Sequence, residues 1–163
     1  MILGLSTSTY TILHVIISLI GIASGFIVLF GLFSNKLLSP WNILFLVTTI
    51  LTSVTGFFFP NSTITPGIVL GVLSLIALAI ALFALYPRHL EGGWRRTYAI
   101  TAMIAQYFNV FVLIAQLFKH VPALKALAPT GTEAPFKIAQ LLLLILFIFL
   151  ITSAAKKFRS QLV

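Results

Sequence analysis

The sequence predicts an all-α membrane protein, a bundle of five transmembrane helices, on three observations. Of its 163 residues, 60% are hydrophobic and only 7% are charged, whereas soluble domains carry about a quarter charged residues. The apolar residues form five long runs, separated by short segments that contain Pro, Gly, Lys or Arg. Lys and Arg stand at the ends of these runs, as is typical of membrane spans. No Ser/Gly linker or low-complexity segment divides the chain, so we expect a single transmembrane domain over residues 1–163.

The first span is predicted over residues 10–33. No Lys or Arg precedes it, so the segment lacks the positive region of a secretory signal peptide and is interpreted as a retained helix. Polar and small residues recur at helical spacing and therefore share one face: His14, Ser18, Gly21 and Gly25. The last two form a GxxxG pair, which permits close contact with another helix.

The second and third spans are predicted over residues 41–60 and 66–86. Hydroxyl side chains recur on one face of the second span: Thr48, Thr52 and Thr55. Such residues are tolerated in lipid because each hydroxyl can donate to a carbonyl one turn earlier. The third span begins with Pro66, whose missing N–H is harmless in the first turn of a helix. Gly67 and Gly71 give a second GxxxG pair.

The fourth span, predicted over residues 97–119, is the most polar of the five. Its polar and small residues form one stripe at helical spacing: Thr101, Ala105, Asn109, Val112 and Gln116. Hydrocarbon offers no hydrogen-bond partner to Asn or Gln, so we expect this stripe to face other helices. In the long loop that follows, residues 122–127 are predicted to form an amphipathic turn at the interface. The fifth span, residues 135–155, is almost wholly aliphatic and aromatic apart from Gln140.

The basic residues predict that the N-terminus lies outside and the C-terminus in the cytoplasm. With five spans, seven Lys and Arg residues fall on one side: Lys36, Arg88, Arg95, Arg96, Lys156, Lys157 and Arg159. Three fall on the other: Lys119, Lys125 and Lys137. The side that is richer in Lys and Arg is cytoplasmic by the positive-inside rule. We expect the arginines between the third and fourth spans to contact lipid headgroups or a cytoplasmic partner: Arg88, Arg95 and Arg96.

Depth along the predicted spans places polar side chains of four helices at one level near the outer leaflet. These residues are His14, Thr55, Gln116 and Gln140, with Asn109 and Thr49 one level deeper. Two interpretations stay open: the groups hydrogen-bond to one another and hold the helices together, or they line a cavity. The candidate residues for binding a ligand or partner are His14, Ser18, Thr55, Asn109, Gln116 and Gln140.

The residue types argue against several classes of function. The absence of Cys excludes disulfides, thiol catalysis and thiolate metal sites. The two carboxylates, Glu91 and Glu133, lie in predicted loops, which argues against the commonest design of ion-coupled transporters. No Ser–His–Asp set and no HExxH motif occur, so we expect a protein that is not an enzyme. The net charge of +8 is explained by the flanks of the spans, so nucleic acid is not an expected partner.

No cofactor or metal is predicted, and b-type haem is the alternative. Haem held by two imidazoles needs two His residues at one depth. The candidates are His14 and His120, although His120 stands about one turn higher, at the membrane edge. A haem-bearing or electron-transfer anchor is therefore the second functional hypothesis, and a small oligomeric transporter is the third.

Two runs of sequence carry a resemblance to a known family: TSVTGFFFP at residues 52–60 and NVFVLIAQLFKHVPALKALAPTGTEAPF at residues 109–136. They resemble a family of small bacterial inner-membrane proteins. The resemblance implies a multi-pass protein of the bacterial inner (plasma) membrane and implies no activity. The size and five spans are also similar to tryptophan-rich sensory proteins, but the several Trp residues of that motif are reduced here to Trp41 and Trp94.

The leading functional hypothesis is a non-catalytic membrane protein that acts by binding. Its expected surroundings are the lipid bilayer and, in addition, a membrane-protein partner, a second copy of the chain or a hydrophobic small molecule. The polar layer near the outer leaflet is the expected binding region.

Overall fold

The computed structural model describes residues 1–159, and every helix or strand assigned in that part of the chain is an α-helix. In chain order the helices are α1 (Thr7–Phe33), α2 (Ser39–Gly56), α3 (Pro66–Leu85), α4 (Trp94–His120), α5 (Pro122–Leu127) and α6 (Ala134–Lys157). The short helix α5 coincides with the amphipathic turn predicted from the sequence. The all-α prediction is thus confirmed for the described residues.

Within residues 1–159, four helices are long and apolar enough to cross a membrane: α1, α3, α4 and α6. Their outward faces carry large exposed hydrophobic side chains such as Ile16, Ile76 and Phe149. These features indicate a multi-pass integral membrane protein. Helix α2 has 18 residues and is not among the four, because polar residues such as Ser39 and Asn42 lower its mean hydropathy.

The helix boundaries follow local capping chemistry. Ser6 caps α1 by accepting a hydrogen bond from the N–H of Thr9, and Thr65 caps α3 by accepting from the N–H of Ile68. Pro occupies the first turn of α2, α3, α5 and α6, where no intrahelical N–H bond is lost. Helix α2 ends at Gly56, before the predicted end at residue 60, and α4 begins at Trp94 rather than at residue 97.

Helix α4 is the centre of the bundle, because it packs against each of the other described helices. Its most extensive contacts are with α3 and α6, while α1 packs most extensively on α2. Helix α2 lies at the side of the bundle, since it touches α4 over a small area only. One of those contacts is a buried hydrogen bond from the Tyr98 hydroxyl to the Asn42 side-chain oxygen.

The two ends of the bundle differ in packing. We call them the Trp94 end, where α4 begins, and the His14 end, where α1 and α6 begin. The larger hydrophobic cluster fills the half nearer the Trp94 end. It includes Leu32, Phe45, Ala81 and Met103, whose side chains are fully buried. The smaller cluster, near mid-depth, has four buried members: Ile22, Val110, Leu143 and Phe147. The bundle is therefore closely packed toward the Trp94 end and less so toward the His14 end.

Candidate functional site

His14 is held by α2 at the His14 end of the bundle. Its Nδ1 atom lies 2.7 Å from Oγ1 of Thr55, and its ring makes an edge contact with Phe59 at a centroid distance of 5.1 Å. On the turn before, the Tyr10 hydroxyl donates to the backbone carbonyl of Thr55 at 2.8 Å. Of the residues predicted at its depth, His14 is therefore hydrogen-bonded to Thr55 of α2.

The hydrogen bonds of Thr55 favour one tautomer of His14. The hydroxyl of Thr55 lies 2.6 Å from the carbonyl of Leu51, to which it can donate its single proton. With that proton donated to Leu51, Oγ1 of Thr55 accepts from Nδ1–H of His14, and the neutral imidazole carries its proton on Nδ1. Its Nε2 atom is then an acceptor, and it has no partner among the described residues.

Helix α4 contributes two polar contacts at mid-depth. Asn109 donates from Nδ2 to Oγ1 of Thr49 at 3.2 Å, which joins α4 to α2 as the sequence predicted for this level. Deeper still, Gln106 donates from Nε2 to the carbonyl of Ile22 at 2.8 Å, which joins α4 to α1. Gln106 is 0% exposed, and its Oε1 atom has no partner in the described chain.

Gln106 was not among the predicted site residues, although it is the most buried polar side chain of α4. The close approach of α1 makes room for it, because a Cβ atom on Gly25 would lie only 2.2 Å from its Oε1. The GxxxG pair of α1 thus permits close helix contacts, as predicted: Gly25 packs against α4, and Gly21 packs against Thr48 and Thr49 of α2. The signal that could have found Gln106 is the pairing of a glycine with an amide at the same depth.

The other predicted residues are placed separately. Gln140 donates from Nε2 to the carbonyl of Phe111 at 3.0 Å and so holds α6 on α4 rather than joining His14. Ser18 donates to the carbonyl of His14 within its own helix, at 2.7 Å. Gln116 is exposed and hydrogen-bonds to no described residue. The structure therefore joins His14 to Thr55 and Asn109 to Thr49, and it does not join the four helices in one belt.

Burial along three helix faces falls toward the His14 end. On α1, Gly25 and Gly21 are buried, and Ser18 and His14 are half-buried. On α2, Thr48 and Thr49 are buried, and Thr52 and Thr55 are half-buried. On α4 the order is Thr101 and Ala105 buried, Asn109 and Val112 half-buried, and Gln116 exposed. The three faces are buried near mid-depth and more accessible beyond it, except at Tyr10 of α1, which is 5% exposed because its hydroxyl bonds to α2.

The cross-helix contacts show the same separation. At the His14 end, α1 is bonded to α2 through His14, and α4 is packed on α6 through the rings of Phe118 and Phe136, 5.5 Å apart. Between these two pairs, the side-chain hydrogen bond nearest the His14 end in the described chain is Asn109 to Thr49. We call this region of the bundle the polar cleft and define it by His14, Ser18, Thr55, Asn109 and Gln116. Its residues are half-buried or exposed, and within residues 1–159 no side-chain hydrogen bond nearer the His14 end joins the two helix pairs.

The three arginines predicted to meet headgroups have different surroundings. Arg88 is exposed and stacks on the ring of Trp94, 5.0 Å from its centre. Arg95 is half-buried: it donates to Oδ1 of Asn35 at 3.0 Å and lies 4.1 Å from the centre of the Phe158 ring. Arg96 is exposed on the next position of the same helical turn. Arg95 thus contributes to packing at the Trp94 end, and Arg96 is the more accessible of the two.

The haem candidates are not joined by a described contact. His120 is exposed at the last position of α4, whereas His14 is half-buried on α1 and hydrogen-bonded to Thr55. Among residues 1–159 no group of three or more His, Cys, Asp or Glu side chains converges as metal ligands would. The accessible Nε2 of His14 is the one imidazole nitrogen of the polar cleft that could bind a ligand.

The chain matches no protein-family model, no curated protein sequence and no solved structure.

Proposed function

We propose that this protein is a non-catalytic, multi-pass membrane protein that binds a hydrophobic small molecule in the polar cleft. The observation that carries the proposal is the common fall in burial along α1, α2 and α4 toward the His14 end. A bundle that uses its polar residues only to hold helices together would bury them against one another. Here the polar side chains toward the His14 end are half-buried or exposed, and no side-chain hydrogen bond among the described residues joins the two helix pairs beyond Asn109.

The chemistry of the polar cleft favours a neutral ligand with a polar group. Nε2 of His14 offers an acceptor, and the exposed amide of Gln116 offers both a donor and an acceptor. Phe59 packs beside the imidazole and supplies an aromatic surface. No Asp or Glu lies in α1, α2 or α4, so a cationic ligand would find no counter-charge.

The depth of the polar cleft favours a small molecule over a partner's transmembrane helix. Gln106 and Gly25 close the space between α4 and α1 near mid-depth, and Asn109 bonded to Thr49 closes it toward α2. A helix that crosses the bilayer needs a groove along its whole length, about 30 Å. A membrane-protein partner, including a second copy of the chain, is therefore the alternative occupant.

We infer five spans with the N-terminus outside, which makes α2 a membrane span. The antiparallel packing of α2 along α1 supports this inference, since Leu38 lies beside Gly31 at one end and Thr55 lies beside Tyr10 at the other. Eighteen residues of α2 extend about 27 Å at 1.5 Å per residue, close to the thickness of a hydrocarbon core. The bacterial plasma membrane is proposed on the resemblance of residues 52–60 and 109–136 alone.

The proposal is tested by identifying small molecules that copurify with the full chain. We expect mass spectrometry of solvent extracts to detect a hydrophobic compound with wild-type protein and to lose most of it with His14→Ala/Gln116→Ala. His120→Ala is the matched control, because it removes an imidazole at the same end but outside the polar cleft. Retention by both variants equally would contradict the proposal.

The visible absorption spectrum of the same samples distinguishes haem from the proposed small-molecule ligand. A Soret band that is lost in both His14→Ala and His120→Ala would replace the proposed ligand with haem. A featureless visible spectrum, with the copurified compound present, is the result that the proposal predicts. Copurification of a second polypeptide in place of a small molecule would instead identify a partner as the occupant.

A further inference from the structure

A groove lies between the first turns of α4 and the last turns of α6, at the Trp94 end and far from the polar cleft. Its outer part is a cavity of about 280 Å³ lined by Arg96, Ala155, Lys156 and Arg159. An adjoining cavity of about 370 Å³ shares Arg96 and Lys156 and continues along Ile100 and Ile151. We call both together the basic groove.

The mouth of the basic groove is strongly cationic. Arg96, Lys156 and Arg159 are all exposed there, and Arg159 donates to the backbone carbonyl of Lys156. The chain has only two acidic residues. One of them, Glu133, begins α6 at the opposite end of the bundle and is engaged with Thr130. Three basic side chains therefore share one groove at an end of the bundle where Glu91 is the only acidic side chain.

The start of α4 reinforces the positive potential. The cap residue Gly93 provides no side-chain hydrogen bond, and the first turn of this 27-residue helix holds no acidic residue. The N-terminus of a helix carries positive partial charge, which ordinarily favours Asp or Glu and disfavours Arg. Arg95 and Arg96 add positive charge to this already positive helix end, and a bound anion would offset both.

The deeper part of the basic groove is apolar. Ile100 lies one turn after Arg96 on α4, and Ile151 lies about one turn before Ala155 on α6. Cationic groups thus stand above a trough of aliphatic side chains, along the direction in which the helices enter the hydrocarbon. A soluble anion would use only the mouth, whereas a phospholipid would use both parts.

We propose that the basic groove is a binding site for an acidic phospholipid. The headgroup phosphate contacts Arg96, Lys156 and Arg159, and an acyl chain lies along Ile100 and Ile151. Basic pockets between transmembrane helices bind acidic lipid headgroups in this manner. The site is separate from the polar cleft, so it does not depend on the ligand proposed for that cleft.

The test compares two triple variants of the full chain that remove the same charge from the same end. The groove variant is Arg96→Gln/Lys156→Gln/Arg159→Gln, and the control is Lys36→Gln/Arg88→Gln/Lys157→Gln, whose residues lie outside the basic groove. Each protein is mixed with micelles that contain phosphatidylglycerol or phosphatidylcholine. Native mass spectrometry then counts the lipids that stay bound.

We expect wild-type protein and the control variant to retain phosphatidylglycerol in preference to phosphatidylcholine. The groove variant should lose that preference by at least about tenfold, since each cation near an anionic surface contributes a factor of roughly five. Equal losses in the two triple variants would overturn the proposal, because they would show attraction by overall charge. Equal retention of the two lipids by wild-type protein would also overturn it.

Two further measurements distinguish lipid binding from a folding defect and from binding of a free anion. Lys156→Gln/Arg159→Gln changes exposed positions near the end of α6 and should lose most of the preference without loss of folding. Inorganic phosphate in excess distinguishes the two sources of the anion. Displacement of bound phosphatidylglycerol by phosphate alone would show that the mouth is an anion site and that the apolar trough is not used, which contradicts the proposal.

Discussion

At the scale of single residues, the contact of Gln106 with Gly25 decides how closely α4 approaches α1. The amide of Gln106 is fully buried and fixed by its bond to the carbonyl of Ile22, so it cannot swing away as a surface side chain would. A Cβ atom on Gly25 would meet that amide at 2.2 Å. In contrast, a Cβ atom on Gly67 of α3 would meet only Oγ1 of Thr65, at 3.7 Å.

We therefore expect Gly25→Ala to lower the free energy of unfolding in detergent by about 1–3 kcal/mol, the usual effect of overpacking. Gly67→Ala is the matched control and should change it little. In a double-mutant cycle, Gly25→Ala should be less destabilising when Gln106 is already Ala, because the obstructing amide is gone. Additive effects would show that the two residues do not touch.

The loop before α6 gives a residue-scale prediction about pH. Glu133 accepts hydrogen bonds from the Thr130 hydroxyl at 2.8 Å and from the Thr130 N–H at 3.1 Å. These bonds, that of the Thr130 side chain above all, lower the pKa of Glu133 from 4.5 to about 2. A lowered pKa means that the carboxylate stabilises the folded loop above pH 4.5 and that this contribution is lost as the pH falls toward 2.

The measurement is the NMR titration of the Thr130 and Thr132 amides, whose N–H groups donate to Glu133. Their shifts should move with an apparent pKa well below the ordinary value for Glu. In Glu133→Gln the transition should disappear. A midpoint near 4.5 in wild-type protein would show that the loop does not hold the carboxylate as described.

The limits of sequence inference are clearest on α4. The stripe of Thr101, Ala105 and Asn109 was correctly predicted to face other helices. Gln106 was missed because α4 is surrounded by helices on several sides, so its inward surface is wider than one stripe. Periodicity identifies a single buried face well, but it does not separate positions on a helix that is contacted from all around.

At the scale of elements, α2 is the helix on which the topology depends. Its polar first turns keep it from being recognised as a span by composition, yet it runs beside α1 over its length. Two of its polar residues find partners on α4: Asn42 accepts from Tyr98, and Thr49 accepts from Asn109, whereas the buried hydroxyl of Thr52 has no partner among the described residues. Those bonds remove much of the penalty that the same residues would have in lipid.

The absence of native Cys makes the topology directly measurable. We expect a single Cys at Ser62 or Gly131 to react with a membrane-impermeant maleimide in intact cells. A single Cys at Lys36 or Gly92 should react only after lysis. If α2 does not cross the membrane, Lys36 and Ser62 will instead be labelled from the same side, and the five-span topology is wrong.

Depth along the predicted spans predicts some of the contacts between helices but not all of them. It correctly brought Thr55 to His14 and Thr49 to Asn109, because neighbouring spans that start at the same interface share a depth scale. It did not predict that Gln140 would bond to the carbonyl of Phe111 instead of to a side chain of the layer. Residues at one depth still differ in rotation about their helix axes, and rotation is fixed by packing rather than by counting.

At the scale of the whole molecule, the two ends of the bundle carry different chemistry. The Trp94 end combines the larger hydrophobic cluster with the cationic mouth of the basic groove. The His14 end holds the polar cleft, which lies beyond the hydrogen bond of Asn109 to Thr49. The sequence indicated the charge asymmetry and the polar level, whereas the difference in packing arises from contacts that only the folded chain defines.

The most direct test is a cryo-EM structure of the full chain, purified without added ligands and reconstituted in lipid nanodiscs. We expect non-protein density in the polar cleft, within hydrogen-bonding distance of Nε2 of His14 or the amide of Gln116. We also expect that Gln106 stays against Gly25 below that density. A bundle in which α4 closes onto α1 and α2, with Gln116 buried and no space beside His14, would contradict the proposal.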